Sequence, residues 1–177
     1  NWIKGKVSFA TDVLNNICVV SKIGPYRDSE RAHAKEFINL IGGNNLLLFD
    51  RGYFEKELIK NIIESGNEFC FRVKSNACKE IDDFVQSNDN DIIGKIRIAK
   101  QDIKVRFTKI ILESGEVEIL LTSLFDTTLT KKLSSPYTSI SYPMIPIERA
   151  PLFSKLASNI ITIPFLEKLF NEYPFTE

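Results

Sequence analysis

The 177-residue chain carries 23 Lys plus Arg against 23 Asp plus Glu, so bulk charge selects no partner and any nucleic acid must meet a local patch. Apolar residues at 44% beside 26% charged exclude a disordered chain, and this length buries a core sufficient for one domain. No apolar run approaches the roughly 20 residues of a membrane helix, and the N-terminus lacks a signal-peptide pattern. Cys18, Cys70 and Cys78 are too few and too irregular for a disulfide framework or a zinc site, so reduced thiols and a cytoplasmic location are expected. The start at Asn1 rather than Met points to a fragment or a trimmed chain.

In chain order, "KGKVSFATDV" and "ICVVSKIG" are short, β-branched and partly alternating, with Leu14-Asn15-Asn16 between them. This pattern predicts a β-hairpin. "PYRDSERAHAKEFINLIGG" changes period: Asp28 or Ser29 caps a helix, Ala32, Phe37, Ile38 and Ile41 form its stripe, and Gly42-Gly43 ends it. "LLLF" is too short for a helix and continuously apolar, as a strand covered on both faces is. A second helix is expected from about Phe54 to Ser65, with Leu58, Ile59, Ile62 and Ile63 inward and Gly66 as its stop. "EFCFRVK" reads as the next strand. The order β-β-α-β-α-β predicts a mixed α/β layer with a central strand ending at Asp50.

"CKEIDDFVQS" is helix-like, and "DIIGKIRIA", "DIKVRFTKIIL" and "EVEILLTSLF" read as an antiparallel meander turning at Lys100-Gln101 and at Glu113-Ser114-Gly115. Beyond it the composition changes. Six of the seven prolines follow residue 135 and no glycine follows Gly115, so only "FLEKLFNEY" retains a helical pattern. The expected division is 1–76, 77–126 and 127–177.

Asp50 is the residue that asks for an explanation, because a carboxylate buried without a partner is costly. At the C-terminal end of a central strand it faces the crevice where α/β sheets bind ligands. There it either caps the following helix or holds a divalent ion, since Mg²⁺ is usually bound by one or two carboxylates plus substrate phosphates. Gly52 allows close backbone approach, and Arg51 and Tyr53 are placed to position phosphate or orient the acid. Arg72 and Lys74 share a face of the neighbouring strand. Lys95 with Arg97, and Lys104 with Arg106, lie on adjacent strands where they either track a phosphate backbone or form a solvated face balanced by Asp91 and Asp102. His33, the lone histidine, suits a helix surface, and Glu30 suits helix-end electrostatics with Arg31 or Arg27. Trp2, Phe69 and Phe71 suit the core, and Gly42-Gly43 lacks the spacing of a nucleotide loop.

"LLLFDRGYFEKELIKNIIESGNEFCFRVKS" resembles the second catalytic motif of DDE transposases of bacterial insertion sequences, in the branch with an Asp-Arg-Gly-Tyr box and a later Tyr-Arg-Glu-Lys signature. The Ser-Glu-Arg of residues 29–31, Arg72-x-Lys74 and "VEILLTSLFD" extend the likeness over about residues 3–126. The resemblance implies an RNase H-like mixed sheet lacking its first strand, with an inserted antiparallel β subdomain. It implies DNA strand cleavage and transfer in transposition with Mg²⁺ or Mn²⁺, Asp50 as catalytic metal ligand, DNA as partner and a possible homo-oligomer. The cationic sets above, with Arg51 and Tyr53, would face DNA. The family's first aspartate belongs to a strand preceding residues 6–13, and Asp12 matches a position outside the triad. The third acid should lie in Y-x2-R-x3-E-x6-K. Glu148 has Lys155 at the right spacing but Met144 and Ser141 at the Arg and Tyr positions, which makes it a weak candidate. The tail is therefore expected to be divergent or out of frame, and the chain inactive in cleavage. The alternative is a non-catalytic DNA-binding or regulatory remnant.

Overall fold

The computed structural model describes residues 5–13, 15, 17–112 and 115–125, and the backbone of 159–163. Strands β1 (Gly5–Asp12) and β2 (Ile17–Pro25) form the expected antiparallel hairpin, with a register shift between Ala10 and Thr11. Helix α1 (Glu30–Ile41) follows, capped by Ser29, whose side chain accepts from the Ala32 N–H. β3 (Asn45–Phe49) leads into a 3-10 turn at Arg51–Tyr53, then α2 (Lys56–Glu64) and β4 (Glu68–Val73). α3 (Lys79–Gln86) precedes the meander β5 (Asp91–Ile98), β6 (Gln101–Ile111) and β7 (Val117–Thr122), and β8 (Asn159–Ile163) closes the series.

The strands form one mixed sheet in the order β2-β1-β8-β3-β4-β7-β6-β5. The run β3-β4-β7-β6-β5 is joined to the β1–β2 hairpin through β8. That strand pairs parallel with β3 from Asn45 to Phe49, and antiparallel with β1 at Thr11 and Asp12. The meander is antiparallel as expected, and it continues the sheet through β7 on β4.

Alternation sorts the side chains into two faces. Leu47 and Phe49 of β3 and Phe69, Phe71 and Val73 of β4 meet Phe37 and Ile38 of α1 and Leu58, Ile59 and Ile62 of α2. Ile81 and Phe84 of α3 extend this core over Ile96, Val105 and Phe107. Leu46, Cys70, Ile110 and Leu120 form a smaller cluster on the opposite face, with Leu48 beside it. Asp50 follows Leu46 and Leu48 in this alternation, so it belongs to the face away from the helices.

Several local expectations change. The α1 stripe is His33, Ala34, Phe37 and Ile38, while Ala32 is exposed. His33 is only 2% exposed because it shares the stripe of Phe37, one turn on; its Nδ1 lies 2.9 Å from the Ser8 hydroxyl and its Nε2 3.4 Å from Asp28. Ile63 is exposed at the end of the α2 stripe. Glu30 pairs with Lys6 at 3.2 Å, and Arg31 instead donates to the Gly52 carbonyl at 3.0 Å, tying α1 to the turn after Asp50. Trp2, Glu148 and the helical pattern at 165–173 lie outside the described residues.

The β5–β6 turn is Ala99–Lys100, one residue earlier than expected, since Ile98 pairs with Gln101. Both residues have positive φ, 46° and 70°. A two-residue hairpin loop with this geometry favours Asn-Gly, and left-handed backbone costs other residues about 1–2 kcal/mol each. The double replacement Ala99→Asn with Lys100→Gly is expected to raise stability by about 1 kcal/mol in urea unfolding. An unchanged or lowered midpoint would show that the turn carries no such strain.

Candidate functional site

Asp50 stands immediately beyond the last residue of β3 in extended conformation and begins the 3-10 turn. Its carbonyl accepts the Tyr53 N–H, but its side chain makes no capping bond, and Glu55 is the N-cap of α2. The carboxylate is therefore committed elsewhere. Its side chain is 52% exposed, and Oδ1 accepts from Arg72 Nε at 2.6 Å.

Arg72 reaches Asp50 because β3 and β4 are parallel, with Phe49 opposite Phe71, which places the next residue of each side by side. Its Nη1 also donates to Glu118 Oε1 at 2.8 Å. Glu118 lies on β7, two residues before Leu120, the partner of Arg72. The guanidinium of β4 thus bridges carboxylates on the strands to either side. Arg51 Nη2 donates to Glu118 and to Glu116, each at 3.2 Å. Glu118 is only 4% exposed, and no sequence pattern singled it out. Its pairing with β4 was the missing signal, because "EVEILL" on its own reads as a strand with one acidic, outward face.

Burial raises the Asp50 carboxyl, but the Arg72 hydrogen bond, the Arg51 backbone N–H and the charges of both arginines outweigh it and hold the group below the usual carboxylate range. Arg72 is held more firmly protonated: desolvation opposes this, and the Asp50 and Glu118 contacts override it. Burial raises the Tyr53 phenol, with the charges of Glu30 and Asp50 adding to it. Cys70 is pushed up to about 12 by burial, against a hydrogen bond with Thr122, which makes it a poor nucleophile.

The expected site residues fall into three groups. Arg51 and Arg72 stand at the strand ends beside Asp50, and Arg51 and Lys74 line an open groove with Ser75, Asn76 and Glu116. Lys74 makes no ion pair among the described residues. Lys95, Arg97 and Lys104 lie on the same sheet face but near the β5–β6 turn, Lys104 three strands from β3 and Lys95 and Arg97 four; from ordinary strand spacing and rise they stand about 20–30 Å from Asp50. Lys95 is directly opposite Lys104, an unfavourable pairing that an anion would relieve. The Lys104 ammonium also sits 4.7 Å from the Phe125 ring centroid.

Tyr53 and Arg106 do not present surfaces for direct contact. Tyr53 is buried at the 3-10 turn, its ring centroid 5.9 Å from that of Phe49, and its hydroxyl has no hydrogen-bond partner among the described residues. Arg106 is 1% exposed and donates through Nε and Nη2 to Asp91, so three of the four candidate cations of the meander, Lys95, Arg97 and Lys104, turn outward. Gly52 is not required by packing, since a Cβ there would meet nothing within 4 Å. Asp12 is on the helix side of β1 and accepts from the backbone and side-chain N–H groups of Asn15, so it closes the hairpin turn.

Glu80 offers a separate test of these electrostatics. Burial raises it, but the N–H of Arg97, its own N–H, the Cys78 thiol and the Lys56 ammonium bring it down to about 2 from 4.5. A depressed carboxyl stabilises the fold above its unfolded value, and that contribution is lost as pH falls toward the folded value. Glu80→Gln is therefore expected to lower stability at neutral pH and to leave it unchanged near pH 2. An equal loss at both pH values would remove charge as the cause.

This is a mixed α/β domain whose exposed strand-end acid is set beside two arginines. A family model described as the transposase DDE domain matches residues 2–141, and the chain belongs to that family. No curated protein matches it. Membership implies DNA cleavage and transfer connected with transposition, and the family generally uses divalent metal. No helix among the described residues is long and apolar enough to cross a membrane.

The described residues do not fit a resident divalent ion in this arrangement. They contain no group of three or more His, Cys, Asp or Glu able to hold one, and a cation at Asp50 Oδ1 would meet the Arg72 guanidinium.

Proposed function

We propose that this chain is a catalytic-core segment of an insertion-sequence DDE transposase, acting in DNA strand cleavage and transfer. The observation that carries the proposal is Asp50: half-exposed, at the end of a strand inside the sheet, and bordered by Arg51 and Arg72, with Lys74 lining a groove beside Arg51. In this proposal the fold is RNase H-like, residues 1–76 form the core segment and 77–126 the β-rich insertion. The segment 127–177 is divergent or out of frame relative to the Tyr-Arg-Glu-Lys box. Asp50 is the acid for Mg²⁺ or Mn²⁺ once further carboxylates join it. Arg51, Arg72, Lys74, Lys95, Arg97 and Lys104 meet phosphates directly, while Tyr53 and Arg106 act from within by holding the turn and the meander.

A second reading, a non-catalytic DNA-binding remnant, is favoured by the Arg72 bond to Asp50. That contact engages an oxygen which metal chemistry needs, and it leaves the cationic surface intact.

Both readings require duplex binding, and strand nicking separates them. Each phosphate neutralised contributes about −0.9 to the slope of log affinity against log salt, so six cations predict a slope of about −5. Neutralising Lys95, Arg97 and Lys104 together is expected to reduce that slope by about 3 in fluorescence anisotropy with a labelled duplex. No binding at low salt would refute both readings. In Mg²⁺ the chain alone is expected to leave a supercoiled plasmid carrying transposon ends intact; nicking that Asp50→Ala abolishes would instead establish a complete catalytic site.

A further inference from the structure

We propose that Glu118 is a positioning residue, whose buried carboxylate holds Arg72 and Arg51 in one fork and thereby sets the direction in which Asp50 and the two guanidinium groups face a nucleic-acid backbone. Its consequence for binding rests on the DNA-binding reading above, whereas its geometry does not.

A carboxylate buried to this degree carries a desolvation penalty of several kcal/mol unless it is paired and hydrogen-bonded. Glu118 meets that requirement through one oxygen: Oε1 accepts from Arg72 Nη1 at 2.8 Å and from Arg51 Nη2 at 3.2 Å. Arg72 is consequently fixed at two points, Nε on Asp50 and Nη1 on Glu118, from the strands on each side of its own. Two bonds in the plane of a rigid guanidinium define its orientation as one bond cannot. Among the described residues, Arg72 Nη2 and Arg51 Nη1 donate to no carboxylate, at the end of the sheet that carries Asp50 and the groove at Lys74.

The placement separates Glu118 from Glu116. Both accept from Arg51, but Glu116 is exposed at the rim and does not reach Arg72, whereas Glu118 is enclosed and bridges both arginines. Around Asp50 the two arginines face three acids, Asp50, Glu116 and Glu118. Simple charge counting therefore predicts that loss of either glutamate strengthens attraction for DNA. Positioning predicts opposite signs for the two.

The full chain carrying Glu118→Asp keeps the charge and shortens the reach, and Glu118→Gln keeps the reach and removes the charge. Both are expected to weaken binding of a short labelled duplex by about tenfold, the scale of one hydrogen bond to a charged group. Glu116→Gln is expected to tighten it. Independently of DNA, carbon-detected NMR titration of Asp50 is expected to rise toward the ordinary carboxylate range in Glu118→Asp, because Arg72 is no longer held against it.

Arg72→Lys serves if the buried variants fail to fold. It is expected to raise the Asp50 titration and weaken duplex binding in the same way. Combined with Glu118→Asp, it should bind no more weakly than the worse single variant, as groups acting in one network are not additive. An unmoved Asp50 titration in folded Glu118 variants, tighter binding by Glu118→Gln, or additive losses in the double variant would each overturn the proposal. Failure of the unmodified chain to bind duplex would instead refute the DNA-binding reading, and the Asp50 titration would still decide the role of Glu118.

Discussion

Phe71→Ala is expected to lower the unfolding free energy by about 3–5 kcal/mol, the range for a buried aromatic reduced to a methyl group. Phe71 is fully buried on β4, the strand that also carries Arg72. Its ring stacks on Phe49 at 4.6 Å between centroids, meets Phe54 edge-on at 6.2 Å and lies 5.6 Å from Phe69. Such pairs contribute about 0.5–1.5 kcal/mol each beyond the area they bury. The neighbours belong to β3, to the segment entering α2 and to β4 itself, so the cavity would open between the strand that delivers Asp50 and the helix that follows it. Against a typical total of about 5–15 kcal/mol, the variant should unfold at a much lower urea concentration. A midpoint shift equivalent to less than about 1 kcal/mol would mean that this face is not a packed core.

Asn67→Ala is expected to cost about 2–4 kcal/mol, as one or two buried donors lose their partner. Asn67 lies just before β4, at the end of the sheet opposite Asp50. Its Oδ1 accepts from the backbone N–H of Asn45 at 2.9 Å and from the Asn45 side-chain amide at 3.0 Å. Its Nδ2 donates to the Gly42 carbonyl at 2.7 Å and to the Ser65 hydroxyl at 2.9 Å. One amide therefore joins the residues that end α1 and α2 to the first residue of β3. Asn67→Asp keeps Oδ1 and removes the donors, so it should retain the Asn45 contacts and lose those to Gly42 and Ser65. Chemical denaturation should rank the variants below the parent, with alanine the least stable. If alanine matched the parent, the junction would be hydrated in solution and not closed by these bonds.

The parts of this structure legible in the sequence are those governed by local periods. The alternating runs at β1 and β2, the i, i+4 stripes of α1 and α2, and the glycines at 42 and 66 with positive φ each report the conformation of their own segment. Even there the phase was only approximate: a stripe read one residue off concealed the burial of His33 and placed Ile63 inward. Asp50 was legible because a charge that interrupts an apolar strand is visible without knowledge of any neighbour. Glu118 and Arg106 were not, because each stands in a strand whose alternation looks like an ordinary charged face. Whether such a face meets water or a salt-bridging partner depends on which strands lie beside it.

By itself, the sequence determined the kinds and approximate bounds of the elements up to β7, and that an acid would stand at the end of an apolar strand; the strand β8 was not among its expectations. Only the tertiary structure decided that β8, distant in the chain, lies between β1 and β3, that Asp12 and Asp50 face opposite sides, and that Asp50 is bound by Arg72 under the hold of Glu118. The physical reason is that local conformation follows from dihedral preference and hydrophobic period over a few residues. Strand order and register arise from pairing between distant segments, and a shift of one residue in register carries every side chain to the other face.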